Sequence, residues 1–198
     1  MSHLSLAQQR LLDAAADAFA EKGFGGTSTR DIAARMGRSS AAVYIHYGTK
    51  EELLYAISFQ GHQEALAVLR EARDAVEDPA AQLWAMVHRF SQWHMVHARR
   101  ARVVQYEFGA LAEEHRAEIR DLRREMSQLT VEVLGDGVAS GAFVIADLEG
   151  TARAVLSLCI DLVRWFDPGL ARNQERVAVL NADLAMRMVA SPRTSLEG

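Results

Sequence analysis

Three helix boundaries crowd into the first fifty residues, and their spacing constrains the fold more than any other feature of the chain. Leu11, Leu12, Ala15, Ala18 and Phe19 recur at helical spacing, while Asp13, Asp17 and Glu21 fall on the opposite face. That pattern predicts an amphipathic first helix, ended by Gly23, Gly25 and Gly26. In "STRDIAARMG", Ser28 stands three residues ahead of Asp31, the arrangement of a capping box with Asp as its acid. Ile32, Ala33 and Met36 then give the apolar side of a short second helix, which Gly37 stops. A third short helix is expected from Ser40 to Tyr47. Thr49 precedes Glu52 by three, a further capping box, and opens a long helix through Leu53, Leu54 and Ile57 towards Val76. Two short helices joined by a Gly-containing turn of roughly three or four residues form a helix-turn-helix unit, whose second helix fits the major groove of DNA.

The rest of the chain repeats the helical period without a segment of strand alternation, an internal repeat or a low-complexity tract. Asp78-Pro79 reads as an N-cap followed by proline at the first helical position, leading into Leu83, Met86, Val87, Phe90 and Trp93. Residues 99–112 and 114–134 read as two more helices, and "GDGVASGAF" as a loop. Asp147 caps a helix with Val155, Leu156, Cys159, Leu162, Val163 and Phe166 on its apolar face, ended by "DPG". The last helix carries Val177, Leu180, Leu184 and Met188 on one stripe. The expected fold is all-α, with about nine helices. Residues 1–48 form a three-helix DNA-binding domain, 49–191 a larger helical domain for ligand binding and dimerisation, and 192–198 a frayed tail.

Charge supports a division of labour. The whole chain carries −4, yet residues 1–50 hold six Lys or Arg against four Asp or Glu, so the head is mildly basic and the body acidic. No long apolar run predicts a membrane span, and acids interrupt the N-terminal apolar pattern, so it does not read as a secretory signal. The single Cys159 forms no disulfide within the chain and fits a reducing cytoplasm.

"GFGGTSTRDIAARMGRSSAAVYIHYGTKEELLYAI" resembles the N-terminal signature of the tetracycline-repressor (TetR) family of bacterial regulators. The resemblance fixes spacing as well as residue type: an aromatic after Gly, a Thr-rich cap, "RDIA", a Gly turn, small residues, then Tyr, an aromatic pair and Lys before an acidic capped helix. Met36 and Arg38 depart from the commoner Ala and Val of the turn, and Ala41-Ala42 from Gly-Thr or Gly-Ser. By this resemblance the DNA-contacting residues are Ser28, Thr29, Arg30, Arg38, Ser39, Ser40, Ala41, Tyr44, His46 and Lys50. Tyr44 and Lys50 are expected to clamp phosphates, and the small residues let the recognition helix approach base edges. Tyr47 and Val43 are expected to pack the head, and Arg35 to be a solvated charge.

One recognition helix reads few base pairs, so a dimer on a palindromic operator is implied, joined through the last two helices. The middle helices would enclose an effector pocket, with Trp84, Phe90, Trp93, His94, His97, Tyr106, Phe108, Arg164 and Trp165 as candidate lining. For each of these, core packing is the competing explanation, and for Arg164 a salt bridge to Asp161 or Asp167. "RVVQYEFGALAEEHRAEIRDLRR" and "AVLSLCIDLVRWFDPG" resemble TetR-family regulators of fatty-acid and sterol catabolism, which implies acyl-coenzyme A thioesters as effectors. No cofactor is expected, and no metal, because nothing nearby completes a ligand set with His94 and His97. A phosphate-cradling Gly loop and a nucleophile elbow do not occur, which argues against an enzyme. A DNA-binding protein that answers to no effector is the remaining alternative.

Overall fold

The computed structural model describes residues 5–37, 46–166 and 173–190, and every regular element among them is helical. In chain order these are α1 (Leu6–Gly26), α2 (Thr29–Arg35), α3 (Lys50–Asp74), α4 (Pro79–Val96), α5 (Ala98–Tyr106), a 3-10 turn (Phe108–Ala110), α6 (Glu113–Ala139), α7 (Leu148–Ile160), the short α8 (Leu162–Trp165) and α9 (Gln174–Val189). Most of the third short helix expected at Ser40–Tyr47, and the tail from Pro192, lie outside the described residues. The chain divides into two compact units, Met1–Gln63 with His97–Asp121 and Glu64–Val96 with Leu122–Gly198.

In the first unit, Ser5 begins α1 with a reciprocal cap. Its hydroxyl accepts the Gln8 N–H at 3.2 Å, and the Gln8 side chain returns to the Ser5 N–H at 2.9 Å. The helix buries Leu11, Leu12, Ala15, Ala18 and Phe19, the stripe that its period predicts. Gly23 (φ 71°) interrupts it before one last turn to Gly26, a conformation costly for residues with a Cβ. Along α1 packs α5, burying Ala98, Ala101 and Val103.

The second unit is built on a core of Leu69, Leu83, Met86, Phe90, Val155 and Cys159 among others. Within it, α4 packs along α9. The face that α9 turns inward is made of small residues, Ala178, Ala182 and Ala185 with Asn181 and Val189, which lets the helices approach closely. The bulkier stripe predicted from sequence lies on its flank, where Leu180 is 53% and Met188 40% exposed.

Three boundaries differ from the sequence reading. The helix expected from the Asp147 cap through Phe166 is broken at Asp161 into α7 and α8. The helix expected over 99–112 stops at Tyr106, and the 3-10 turn Phe108–Ala110 replaces its last part. Conversely, α6 does not end at residue 134 but runs to Ala139, through Gly135 and Gly137, into a stretch that reads as loop. The Phe143 ring explains Gly137: a Cβ there would sit 1.9 Å from Cδ2 of that ring. Gly137 therefore serves close packing, whereas the turn itself is made at Gly141 (φ 76°), with the Phe143 N–H bonded to the Gly137 carbonyl at 2.9 Å. Gly137→Ala should lower the urea-unfolding free energy by about 1–3 kcal/mol through overpacking, although alanine favours helix by about 1 kcal/mol. A chemical melt of the variant beside the wild type checks this.

Candidate functional site

At the start of α2 the expected capping box is complete. Asp31 N–H donates to Ser28 Oγ at 3.2 Å, and Ser28 N–H donates to Asp31 Oδ2 at 2.9 Å. Lys22 Nζ lies 2.7 Å from Asp31 Oδ1. Lys22 first, and the Ser28 donors next, hold the Asp31 carboxyl well below the usual carboxylate range. Ser28 is thus committed to the cap, while Thr29 is half-buried and Arg30 exposed on the first turn of α2. Arg35, read from sequence as a solvated charge, pairs with Glu21 of α1. Thr27, which the sequence reading passed over, is buried, its hydroxyl 2.8 Å from the Gly23 carbonyl and 3.0 Å from that of Ala18. Arg38, Ser39, Ser40, Ala41 and Tyr44 lie outside the described residues. His46 is exposed ahead of α3, and Tyr47 is half-buried, its phenol pushed up by burial.

The opening of α3 joins several parts of this unit. Glu52 N–H donates to Thr49 Oγ1 at 3.1 Å, and the Glu52 carboxylate takes the Gly48 N–H at 2.8 Å. Lys50 points the other way: its ammonium donates to the Phe24 and Thr27 carbonyls at 2.6 and 2.9 Å and stands 4.1 Å from the Phe24 ring centroid. It therefore ties the end of α1 to the start of α3, with one N–H beyond those two bonds. Glu51 turns to the beginning of α6, where it meets the Ala112 N–H and His115.

The residues expected to line an effector pocket divide between the units. His97 precedes α5, Tyr106 ends it with 56% of its surface exposed, and Phe108 opens the 3-10 turn, all in the first unit. In the second, Trp84 donates its indole N–H to Asp183 at 3.1 Å and stacks on His88. Phe90, Trp93 and His94 form an aromatic group in which His94 Nδ1 donates to the Phe90 carbonyl at 2.9 Å. Trp165 is 59% exposed, and Arg164 pairs with Asp161 at 3.3 Å, the salt bridge offered as its alternative. His94 and His97 belong to different units, and no group of three or more His, Cys, Asp or Glu among the described residues is arranged to hold a metal.

The second unit contains a tight internal gap of about 10 Å³, lined by Leu69, Leu83, Met86, Val87, Phe90, Thr130, Val155, Leu156 and Cys159. Of the predicted set only Phe90 lines it. The others carried no signal beyond apolar periodicity, which marks a core and a ligand cleft alike. Beside the gap, Asn181 Nδ2 donates to Ser91 Oγ at 3.2 Å and to the Leu158 carbonyl at 3.1 Å, and Ser91 Oγ donates to Cys159 Sγ at 3.3 Å. Burial pushes the Cys159 thiol up to about 12, so it stays neutral.

Residues 11–57 match the model of bacterial regulatory proteins of the tetR family, and residues 76–189 the tetracyclin repressor-like C-terminal domain. The chain belongs to the TetR family of bacterial regulators. It is 30% identical over 186 residues to the HTH-type transcriptional repressor KstR2 of Rhodococcus jostii, a match covering 92% of this chain and 90% of that protein. A tetR-family regulatory protein from Rhodococcus RHA1 has the same fold at TM-score 0.89 and 40% identity, covering 94% of this chain and 98% of its own. AibR, solved with isovaleryl coenzyme A and operator DNA, shares the fold at TM-score 0.81 and 22% identity over 92% of this chain and 97% of its own. The chain is accordingly a DNA-binding transcriptional regulator of the TetR fold, and none of its described helices is long and apolar enough to cross a membrane.

Asp31 supplies a pH test of the head. The folded carboxyl is held below the ordinary aspartate value of 3.8, so its contribution is full above that value and is lost as the pH falls below it. Asp31→Asn should melt below the wild type at neutral pH, with the difference narrowing below about pH 4. Thermal melts across an acid series measure it.

Proposed function

We propose that this regulator is a repressor that binds a palindromic operator as a homodimer in the cytoplasm and leaves it when a small-molecule effector binds. Residues 1–48 would read DNA, and 49–191 would bind effector and partner. The reading is carried by one pairing of facts: a complete TetR-type sequence over both parts of the chain, and an apolar gap inside the second unit. The exposed Leu180 and Met188 flank of α9 supports a dimer through the last two helices, because a lone chain would leave that stripe in water. Catalysis finds no support in the described residues: the one cysteine is buried and neutral.

Acyl-coenzyme A thioesters fit this gap by their acyl end. Its lining offers Leu69, Leu83, Met86, Phe90 and Val155 but no charged side chain, so an apolar chain is matched and a phosphate is not. The exposed Arg164 and Trp165 are candidates for the polar end, where bidentate arginine contacts suit phosphate. The gap must open to admit such a chain, and its present tightness is the observation that favours the rival reading of a regulator without effector.

A gel shift with the DNA flanking its own gene, with and without a series of acyl-coenzyme A thioesters, separates these. Release by thioesters of some chain length is expected. Stable complexes in the presence of every member would sink the effector class while leaving DNA binding intact. On the DNA side, Thr29, Arg30, Tyr44 and Lys50 are proposed to meet phosphates, Arg38 a base or a phosphate, His46 the backbone or groove, and Ser39, Ser40 and Ala41 base edges. Arg30→Ala should weaken operator and unrelated DNA alike and reduce the salt slope by about one, without a change in melting temperature. Lys50→Ala should lower both DNA affinity and melting temperature, since two of its N–H groups already bind the Phe24 and Thr27 carbonyls. Anisotropy titrations at several salt concentrations, paired with thermal melts, distinguish the two variants.

A further inference from the structure

Glu51 has no duty in capping its own helix. Thr49 and Glu52 close the N-terminus of α3 between them, and Lys50 turns to α1. Glu51 instead crosses to a segment more than sixty residues along the chain: its Oε1 accepts the Ala112 N–H at 2.8 Å, and its two oxygens lie 2.8 and 3.0 Å from His115 Nδ1. Since a carboxylate accepts, His115 Nδ1 carries the hydrogen. The imidazole is then stacked on Tyr55, one turn further along α3, with ring centroids 3.8 Å apart and planes 8° from parallel. Tyr55 completes a second rung by donating its hydroxyl to Glu118 of α6 at 2.5 Å. Glu51 and His115 are about three-quarters buried, at 24% and 21% side-chain exposure, so solvent weakens their bond far less than it would an open surface pair.

We propose that the Glu51–His115 contact is the positioning link through which α6 holds the DNA-binding head in its operator-competent placement. The link touches neither DNA nor ligand. It lies within the first unit, where α3 is fixed at the same turn to the end of α1 by Lys50 and so to the cap of α2. Ala112 precedes α6 and His115 stands in its first turn, so the opening of α6 is fastened to the opening of α3. A head held less firmly occupies the binding-competent placement for a smaller fraction of the time, and apparent affinity falls by that fraction. The inference rests on the operator-binding reading above.

The test uses the full chain and four variants: Glu51→Ala, Glu51→Gln, His115→Phe, which keeps the ring on Tyr55 but removes the donor, and Asn181→Ala, which breaks buried bonds on α9, as a destabilised control off both α3 and α6. Operator affinity is read by anisotropy on the DNA flanking its own gene at several salt concentrations, and amide exchange in peptides covering 29–35 and 112–118. Glu51→Ala and His115→Phe should each raise Kd about tenfold, the scale of losing one charge-assisted bond, with the salt slope unchanged because no phosphate contact is lost. Both should speed exchange at 29–35 as well as at 112–118. Glu51→Gln, which keeps an acceptor for Ala112, should lose less, and Asn181→Ala should leave affinity and head exchange at wild-type values. Unchanged affinity and unchanged exchange at 29–35 in His115→Phe would overturn the link even if Glu51→Ala failed to fold. So would a loss accompanied by a shallower salt slope, which would make the pair a DNA contact. If wild-type protein fails to bind this DNA, the operator reading is what falls, and the exchange measurement still decides the link.

Discussion

Four consecutive residues at the start of α3 fasten the first unit together, and each does so in a different direction. A helix N-terminus leaves backbone N–H groups without intrahelical partners, and Thr49 and Glu52 satisfy them locally. Lys50 then meets the carbonyls left at the other kind of helix end, those of Phe24 and Thr27 beyond the Gly23 break in α1. Glu51 meets the Ala112 N–H at the opening of α6. Each bond alone is worth on the order of 1 kcal/mol, but they share one turn of backbone, so losing any of them loosens the others' geometry. Helices α1 and α2 thereby borrow rigidity from α3 and α6, because so short a segment has too small a core to supply it by itself.

In the second unit specificity comes from a different source. The inward face of α9 is almost all alanine, a surface that would slide against α4 with little penalty. Asn181 removes that freedom. It is buried and bonded to Ser91 of α4 and to the Leu158 carbonyl of α7, so any change of register would strand a polar amide in an apolar interior. The same packing leaves Leu180 and Met188 on the exposed side of α9.

How far the sequence could be read follows from where each signal sits along the chain. The caps at Ser28, Asp78 and Asp147 join residues three apart and are legible in the sequence. Gly137 misled, because glycine beside an aspartate reads as a turn and only the Phe143 ring shows it to be a packing position. The Glu51–His115 pair is separated by sixty-four residues and has no local pattern at all. The aromatic candidates for a pocket were chosen by residue type, yet Trp84, Tyr106 and Trp165 turn out at or near the surface, and the gap is lined chiefly by aliphatic residues that look like any core.

That aliphatic lining also sets the terms on which an effector enters. With Cys159 held neutral and no charge on the lining, nothing in the gap rewards a polar group, so the driving force is apolar burial, about 0.8 kcal/mol for each methylene. Opening the gap costs core contacts between α3, α4, α6 and α7, and a very short apolar ligand returns too little to offset them. Affinity should therefore climb with chain length until the space is filled. Helix α6 contributes Thr130 to that gap and also carries His115 in its first turn. A ligand binding both forms of the gap equally would shift no equilibrium, however tightly it bound.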